Sequence, residues 1–262
     1  MIKVLHLITR MNTGGPAVFL DHLTSSVKEL GCDSTIAYGY CEANESDYLD
    51  SHKVSSKTVK IKSLHRSLNI IDDIQAFFQI RAVIKEVKPD LINTHTSKAG
   101  VLGRLAAKSL NKNLPVIHTF HGHLIYGYFA RFKSIIFTLI EKMMSRYTDL
   151  SVAVTNETKE SLQSLGIGKK SNWKVIPIGI PISNKGGSLN ANSNILKLLW
   201  VGRFTDIKDP LYAVEVIKSL NLNEIHKFEL TMVGDGELFN QIKSLSSGLP
   251  INFTGWLFNP FE

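Results

Sequence analysis

The sequence predicts an α/β protein built from two Rossmann-type domains with parallel sheets, of which the second is incomplete. Apolar runs alternate with segments of helical periodicity along nearly the whole chain of 262 residues. The polar segment SNKGGSLNANSN, rich in Gly, Ser and Asn, interrupts this alternation at 183–194. A second strand–helix series starts directly after it. We therefore expect a first domain at 1–182, a linker at 183–194 and a partial second domain at 195–262.

Six apolar runs predict the strands of the first domain. They are nearly continuous rather than alternating, which is typical of parallel strands buried on both faces. Pro16 suits the first turn of a helix, and Gly31 and Gly166 follow segments where helices should end. The predicted strands cover 3–9, 34–40, 91–95, 115–120, 150–154 and 173–178, and the predicted helices cover 16–30, 69–87, 97–110, 128–147 and 155–165.

The second domain is shorter than a complete domain of this class. Its three predicted strands lie within ILKLLWVGR, FELTMVGDGE and INFTGW, and its helices lie at about 209–221 and 237–247. So few helices would leave apolar sheet surface uncovered, so we expect a truncated form of a longer protein. Two such domains joined by a linker imply a cleft, with ligands bound at the carboxyl ends of strands.

Composition and charge narrow the class of protein. No apolar run reaches the roughly 18–20 residues that span a bilayer. The N-terminus lacks a signal-peptide cleavage site and the two cysteines form no CxxC pair, so we expect a cytoplasmic protein. The net charge of +7 is uneven, with +8 on residues 1–184 and −1 on residues 185–262. A basic first domain suits phosphorylated substrates or an anionic membrane face, and a lysine-rich soluble surface is the simpler alternative.

The first candidate site is the glycine pair in TRMNTGGPAVF. Gly14 and Gly15 let backbone N–H groups approach a ligand, and the helix that starts at Pro16 favours an anion at its N-terminus. A tight strand-to-helix turn explains the same residues without a ligand, and the pattern GxGxxG is absent. Gly100 and Gly103, later in the chain, are expected to allow close helix packing instead.

Histidines and a lysine mark two further strand ends. His95 ends a strand, and Lys98 lies in the next helical turn, where a cation opposes the helix dipole unless it meets a bound phosphate. An exposed lysine tolerated at small cost is the alternative. In VIHTFHGH we expect His118 in the core, and His121 near the carboxyl edge as a donor or proton-handling group. No carboxylate or cysteine completes a metal site with these two and His123, so no metal is predicted.

The second domain offers two cations and two glycines at its strand ends. In VGRFTDIKDP, Arg203 provides a planar fork suited to phosphate, and Lys208 provides a second charge. The two aspartates of this segment supply the alternative, namely local ion pairs on a solvated loop. In MVGDGEL, Gly234 and Gly236 open the backbone at the next strand end.

The predicted helix 128–147 carries an apolar stripe beside basic residues. We expect the stripe to face the protein's own core, although the basic flank permits a peripheral contact with anionic lipid. Its members are Phe132, Ile135, Ile136, Leu139, Ile140, Met143 and Tyr147.

Taken in order, TRMNTGGPAVFL, NTHTSKAGVLGRLAA, HTFHGH and VGRFTDIKDP…MVGDGEL…FTGW resemble the bacterial retaining glycosyltransferases of family 4. The segments HTSKAG…GR and HTFHGH are especially similar to members that assemble capsule, O-antigen and related surface polysaccharides. The resemblance covers essentially the whole chain and implies the GT-B architecture. It also implies a nucleotide-sugar donor, a glycan or lipid-linked acceptor, and neither a metal cofactor nor a nucleic-acid partner. The absence of Asp-x-Asp agrees, because such enzymes neutralise the leaving diphosphate with side chains and dipoles.

The resemblance carries roles onto the matching positions of this chain. His121 matches the active-site histidine near the donor sugar and is the catalytic candidate. The other implied roles are donor-diphosphate binding by Arg203, Lys208, Gly14 and Gly15, a position near the nucleotide for Gly234 and Gly236, and acceptor contact by His95 and Lys98.

The family's Glu-x7-Glu motif is the one departure. Its carboxylates bind donor sugar and ribose beyond FTGW, where this chain has ended, and Glu262 is not placed to replace them. The resemblance predicts transfer of a sugar, with retention, from a nucleotide diphosphate-sugar to a growing lipid-linked surface glycan, with a UDP-sugar as first candidate. A truncated non-catalytic remnant or a sugar-nucleotide-binding protein is the alternative. A GT-B-like epimerase would need acid/base carboxylates that we do not find.

Overall fold

The computed structural model describes six stretches of the chain, namely 1–43, 45–122, 131–168, 172–179, 195–221 and 227–257. The chain divides into two compact units, 1–182 and 183–262. The predicted linker and His123 lie outside the described residues.

The first unit is a seven-stranded parallel sheet covered by helices, which confirms the predicted α/β class. The strands are β1 (Ile2–Arg10), β2 (Cys32–Gly39), β3 (Lys57–Lys60), β4 (Leu91–His95), β5 (Val116–Phe120), β6 (Leu150–Ala153) and β7 (Asn172–Val175). The helices are α1 (Gly15–Glu29), α2 (Tyr48–Ser51), α3 (Ile70–Val87), α4 (Ser97–Leu110), α5 (Arg131–Met144) and α6 (Asn156–Ser164). Helix α2 and strand β3 were not predicted, because such short and partly exposed elements carry little hydrophobic periodicity.

The strand order β3-β2-β1-β4-β5-β6-β7 reverses its direction between β1 and β4. Sheets of this class bind ligands beside the carboxyl ends of the strands at such a switch point. Strand β1 is buried on both faces, because Leu5 and Leu7 pack in the cluster with α3 and α4 while Ile8 packs with α1. Helix α4 contacts both α3 and α5.

Helix α4 approaches the sheet through two glycines, as predicted. A Cβ atom on Gly103 would lie 2.5 Å from Leu7 Cδ2 and 2.8 Å from Thr94 Cγ2. A Cβ atom on Gly100 would lie 2.6 Å from His118 Cε1. Because these neighbours are buried, the helix could not carry larger residues here without moving away from the sheet.

Helix α5 turns its apolar stripe outward, so the prediction that this stripe faces the core is wrong. Five members of the stripe are exposed: Ile135, Ile136, Leu139, Met143 and Tyr147. The inward side instead carries Glu141, which is fully buried and lies 2.8 Å from the guanidinium of buried Arg104. Periodicity identifies residues that share a helix face, but here a buried ion pair decides which face is inward. The side chain of Phe132 lies outside the described residues.

The second unit is a three-stranded parallel sheet with the order β10-β9-β8. Its elements are β8 (Ile195–Val201), α7 (Pro210–Asn221), β9 (Lys227–Val233), α8 (Phe239–Leu245) and β10 (Ile251–Gly255). Phe204, in the loop after β8, is fully buried in a cluster with residues of both helices. None of the helices in the described stretches is long and apolar enough to cross a membrane.

We expect Gly103→Ala to lower the free energy of unfolding. Overpacking costs about 1–3 kcal/mol, which exceeds the gain in helix propensity of up to about 1 kcal/mol. Gly15→Ala is the matched control, since its added Cβ atom would meet nothing within 4 Å. Urea denaturation measures both variants. Equal stability of the two variants would contradict the close packing of α4.

Candidate functional site

Three histidines from adjacent strands meet at the switch point of the first unit. His6 Nδ1 lies 3.3 Å from His95 Nε2, and His95 Nδ1 lies 2.9 Å from His121 Nε2. His6 belongs to β1, His95 ends β4, and His121 directly follows β5. Phe19 of α1 packs edge-on against His121, with ring centroids 5.1 Å apart. The fold thus brings His95 and His121 into direct contact, and adds His6, which the sequence analysis missed.

All three imidazoles are neutral near pH 7. Burial lowers the pKa of His6 and of His121 to about 4. Burial, and then the neighbouring histidines, hold the pKa of His95 well below its usual value. A neutral imidazole carries one N–H donor and one acceptor nitrogen. At the two ends of the chain of three histidines, His6 Nε2 and His121 Nδ1 are buried and have no hydrogen-bond partner among the described residues.

The other four ring nitrogens of the three histidines bond to one another in pairs and do not point at a common centre. Within the described residues, no group of three His, Cys, Asp or Glu side chains could hold a metal ion. His118 stands apart, with its Nδ1 2.8 Å from Thr94 Oγ1 and its ring edge-on to Phe120. Burial, and next the charge of Arg104, hold the pKa of His118 well below its usual value, so it is the core histidine that the sequence predicted.

Two threonines fasten β1 to the start of α4. Thr9 N donates to Thr96 Oγ1 at 3.1 Å, the two hydroxyl oxygens lie 2.7 Å apart, and Ala99 N donates to Thr9 Oγ1 at 3.2 Å. Thr96 has φ 62° and ψ 164°, a conformation that costs a side-chain-bearing residue about 1–3 kcal/mol. The signal for this junction was present in KVLHLIT, where His6 and Thr9 interrupt an apolar run.

Lys98 has a partner within the chain. Its Nζ lies 2.6 Å from Asp73 Oδ1 on α3 and also donates to the carbonyl oxygen of Ser67. The ion pair explains a cation in the first turn of α4 without a bound phosphate. Contact of Lys98 with an acceptor stays a prediction, as it does for His95.

Gly14 and Gly15 lie in open space at the start of α1. An added Cβ atom would meet nothing within 4 Å at Gly15 and only Asn12 atoms at 3.8 Å and beyond at Gly14. Gly14 is extended, with φ 163°, so neither contacts nor backbone strain require glycine there. The first turn of α1 has no acidic residue and no side-chain cap. Contact of Gly14 and Gly15 with a donor phosphate stays a prediction.

Arg203 and Lys208 are exposed in the loop after β8 and form no ion pair within the described residues. Asp209 has φ 44°, and its carboxylate accepts a hydrogen bond from Tyr212 N at 3.2 Å, at the start of α7. The local ion pairs that would explain both cations are thus not formed with Asp206 or Asp209. Diphosphate binding by this pair stays a prediction.

The loop after β9, which contains Gly234 and Gly236, packs against the loop after β8, and two backbone hydrogen bonds link the end of β9 and this loop to the loop after β8. Gly202 N donates to Val233 O, and Phe204 N donates to Asp235 O, both at 3.0 Å. Gly236 has φ 156°, and a Cβ atom on it would lie 2.6 Å from Phe204 O. This backbone contact holds the residues on either side of Arg203. The structure thus explains both glycines by backbone contact, and their position near a nucleotide stays a prediction.

Comparison with known proteins identifies a family. The family model for Glycosyltransferase Family 4 matches residues 13–184. The UDP-Gal:alpha-D-GlcNAc-diphosphoundecaprenol alpha-1,3-galactosyltransferase of Escherichia coli is 30% identical over 210 residues, covering 76% of this chain and 53% of that protein. The capsular polysaccharide biosynthesis glycosyltransferase CapH of Staphylococcus aureus is 22% identical over 238 residues, covering 90% and 62%.

Solved structures support the fold. TarM matches with a TM-score of 0.72 and 9% identity over 99% of this chain and 78% of that chain. Such a likeness shows the fold alone, and it confirms the predicted GT-B class. The chain spans about half the length of the curated relatives it matches first. Because the family model covers well over half of the chain, the chain belongs to glycosyltransferase family 4.

Proposed function

We propose that this chain serves to transfer a sugar, with retention, from a nucleotide diphosphate-sugar to a growing lipid-linked surface glycan. The observation that carries the proposal is the pair Arg203 and Lys208, two exposed cations in one loop without ion pairs in the described structure. The favoured donor is a UDP-sugar and the favoured acceptor a polyprenyl diphosphate glycan, because the Escherichia coli relative is named for both.

The two cations suit the charge that develops during transfer. When the bond from the sugar to the diphosphate breaks, negative charge builds up on the leaving diphosphate. The Arg203 guanidinium can donate two parallel hydrogen bonds to it, and the Lys208 ammonium adds a second positive charge. Such side-chain stabilisation is the role that a metal ion has in other transferases, so the proposal needs no metal cofactor.

His121 fits the donor-sugar site as a neutral hydrogen-bonding group. Its Nδ1 atom is buried and unpartnered among the described residues, so a ligand hydroxyl is the partner that we propose. A pKa of about 4 leaves almost no imidazolium at pH 7. We therefore assign His121 to sugar positioning, and not to proton donation from a charged ring.

Gly14 and Gly15 suit contact with the donor phosphate and sugar, because residues without side chains leave space for a ligand beside the backbone. The open space beside Gly15 admits a ligand close to the backbone, and the uncapped N-terminus of α1 favours negative charge. Both the open space beside Gly15 and the N-terminus of α1 belong to the first unit.

The outward face of α5 fits a peripheral contact with the membrane that carries a lipid-linked acceptor. Leu139 and Met143 are more than half exposed, and the basic residues Lys142 on α5 and Arg146 in the turn that follows it are exposed to solvent as well. Apolar side chains beside cations are the pattern of helices that lie on anionic lipid. We place this contact on the cytoplasmic face of the inner membrane.

A transfer assay tests the proposal as a whole. The chain is incubated with radiolabelled UDP- and GDP-sugars and with a bacterial membrane lipid extract. Label in the lipid fraction is the expected result. Binding of UDP without any transfer would support the alternative, a non-catalytic sugar-nucleotide-binding protein. Neither binding nor transfer would contradict both.

Neutralising the cations should weaken diphosphate binding. We expect Arg203→Ala and Lys208→Ala each to raise the Kd for UDP about tenfold, since a hydrogen bond to a charged group contributes roughly 1.5–3 kcal/mol. Calorimetric titration with UDP gives the Kd. Lys218→Ala is the matched control, because it removes one exposed charge from α7 of the same unit. An equal loss in the control would show that the loop has no special role.

Filling the open space at Gly15 should damage the donor site without damaging the fold. Gly15→Ala is expected to keep the urea midpoint of the parent chain, because the added Cβ atom touches no protein atom within 4 Å. The donor KM in the transfer assay should rise about fivefold or more, as expected for overpacking by roughly 1 kcal/mol or more. An unchanged donor KM would remove Gly15 from the site.

Charges on the outer face of α5 should reduce membrane binding. Leu139→Glu with Met143→Glu is expected to lower co-sedimentation with phosphatidylglycerol vesicles at least tenfold, because apolar area is lost and repulsion is added. Leu30→Glu, at an exposed position next to α1, is the control. Both proteins should unfold at the parent midpoint. Equal sedimentation of variant and control would contradict docking through α5.

A further inference from the structure

The chain of three histidines has only two hydrogen-bonded proton arrangements. Each link joins Nδ1 of one ring to Nε2 of the next, from His6 through His95 to His121. Each neutral ring has one proton for its two nitrogens. If His6 carries its proton on Nδ1, it donates to His95 Nε2, which leaves the proton of His95 on Nδ1, and the same step fixes His121. All three rings are then Nδ1–H tautomers, and in the opposite arrangement all three are Nε2–H tautomers.

A mixed arrangement breaks a link. It would set two N–H groups, or two lone pairs, against each other at about 3 Å in a buried site. An unsatisfied buried donor or acceptor costs about 1–3 kcal/mol. His6 and His95 are buried, and so is the Nδ1 atom of His121, so little bulk water is at hand to relieve the conflict. The three tautomers are therefore coupled.

Core packing alone does not explain His6. It is 3% exposed in the middle of β1, where its neighbours along the strand, Leu5 and Leu7, are aliphatic. A buried polar ring is costly unless it is hydrogen-bonded, and the ring of His6 bonds only to His95 within the described structure. An aliphatic residue would fill this strand position at lower cost. A histidine at this position is explained if its bond to His95 acts on His121, at the other end of the chain of three histidines.

We propose that His6 and His95 are positioning residues that couple the ring of His121 to their own rings, so that all three always hold the same tautomer. The character of His121 Nδ1, donor or acceptor, is then set by the three rings together before a ligand arrives. Such preorganisation avoids the cost of ordering the ring during binding. The identity of that ligand as a donor sugar rests on the proposed function, but the coupling of the rings does not.

Long-range ¹H–¹⁵N correlation spectra of the ¹⁵N-labelled chain at pH 7 test the proposal, because they distinguish protonated from bare ring nitrogens. His6, His95 and His121 should show the same populations of the two tautomers in all three rings. In His6→Phe these populations should change together in His95 and His121, because the link between these two rings remains. In His6→Asn the amide can still donate to His95 Nε2 or accept from it, so the change should be smaller. His52→Phe changes an exposed histidine that is not one of these three, so it is the control and should change none of their tautomers.

Each outcome decides the proposal. Different tautomers among the three rings of the parent chain would overturn it, and this reading needs no variant to fold. Different tautomer populations of His95 and His121 in folded His6→Phe would also overturn it. No ligand is present in these spectra, so a failed transfer assay leaves the result standing. Conversely, uncoupled rings would leave the proposed transferase activity untouched.

Discussion

The parallel pairing of β1 with β4 is the constraint on which the first unit depends. It sets His6 beside Asn93 and Leu7 beside Thr94, although these residues are far apart in sequence. On one face of the pair, Leu7 and Thr94 form the surface that only a glycine at position 103 can approach. On the other face the same pairing joins the first two histidines of the chain. At its carboxyl end it fastens Thr9 to Thr96, so a strained residue is held at the switch point.

A second interaction, the ion pair between Arg104 and Glu141, determines which face of α5 is exposed. Rotating α5 to bury its apolar stripe would carry Glu141 outward and leave the buried Arg104 guanidinium without a carboxylate partner. Breaking such a pair costs about 3–5 kcal/mol, whereas each large apolar side chain gains roughly 1.5–3 kcal/mol on burial. The stripe is large enough to compete, so its exposure is itself costly. A partner that covers this face would recover that free energy, which is why the exposed stripe supports docking more strongly than the basic charge of the first unit does.

Sequence reasoning succeeded where the physical cause is local. Continuous apolar runs predicted buried parallel strands, and Gly31 and Gly166 follow α1 and α6 with positive φ, as helix-terminating glycines do. Features that depend on a distant partner could not be predicted. Folding brings Asp73 of α3 to 2.6 Å from Lys98, so a carboxylate offsets the unfavourable helix dipole there, while contact of Lys98 with an acceptor stays a prediction. The outward face of α5 likewise depends on Arg104, which no helical periodicity within α5 can reveal.

The candidate site residues also divide by physical character between the two units. In the first unit, burial removes the charge from the histidines, so they can orient a ligand but contribute little to the stabilisation of an anion. In the second unit, Arg203 and Lys208 lie in an exposed loop held by backbone hydrogen bonds to the next strand end. A diphosphate leaving group needs positive charge, while a sugar ring needs directional hydrogen bonds. Neutral imidazoles cannot replace the cations, and exposed cations cannot replace an oriented imidazole. Loss of the cations and loss of the histidines should therefore impair different steps. The cations should govern affinity for the nucleotide diphosphate, and the histidine chain should govern how the sugar is oriented.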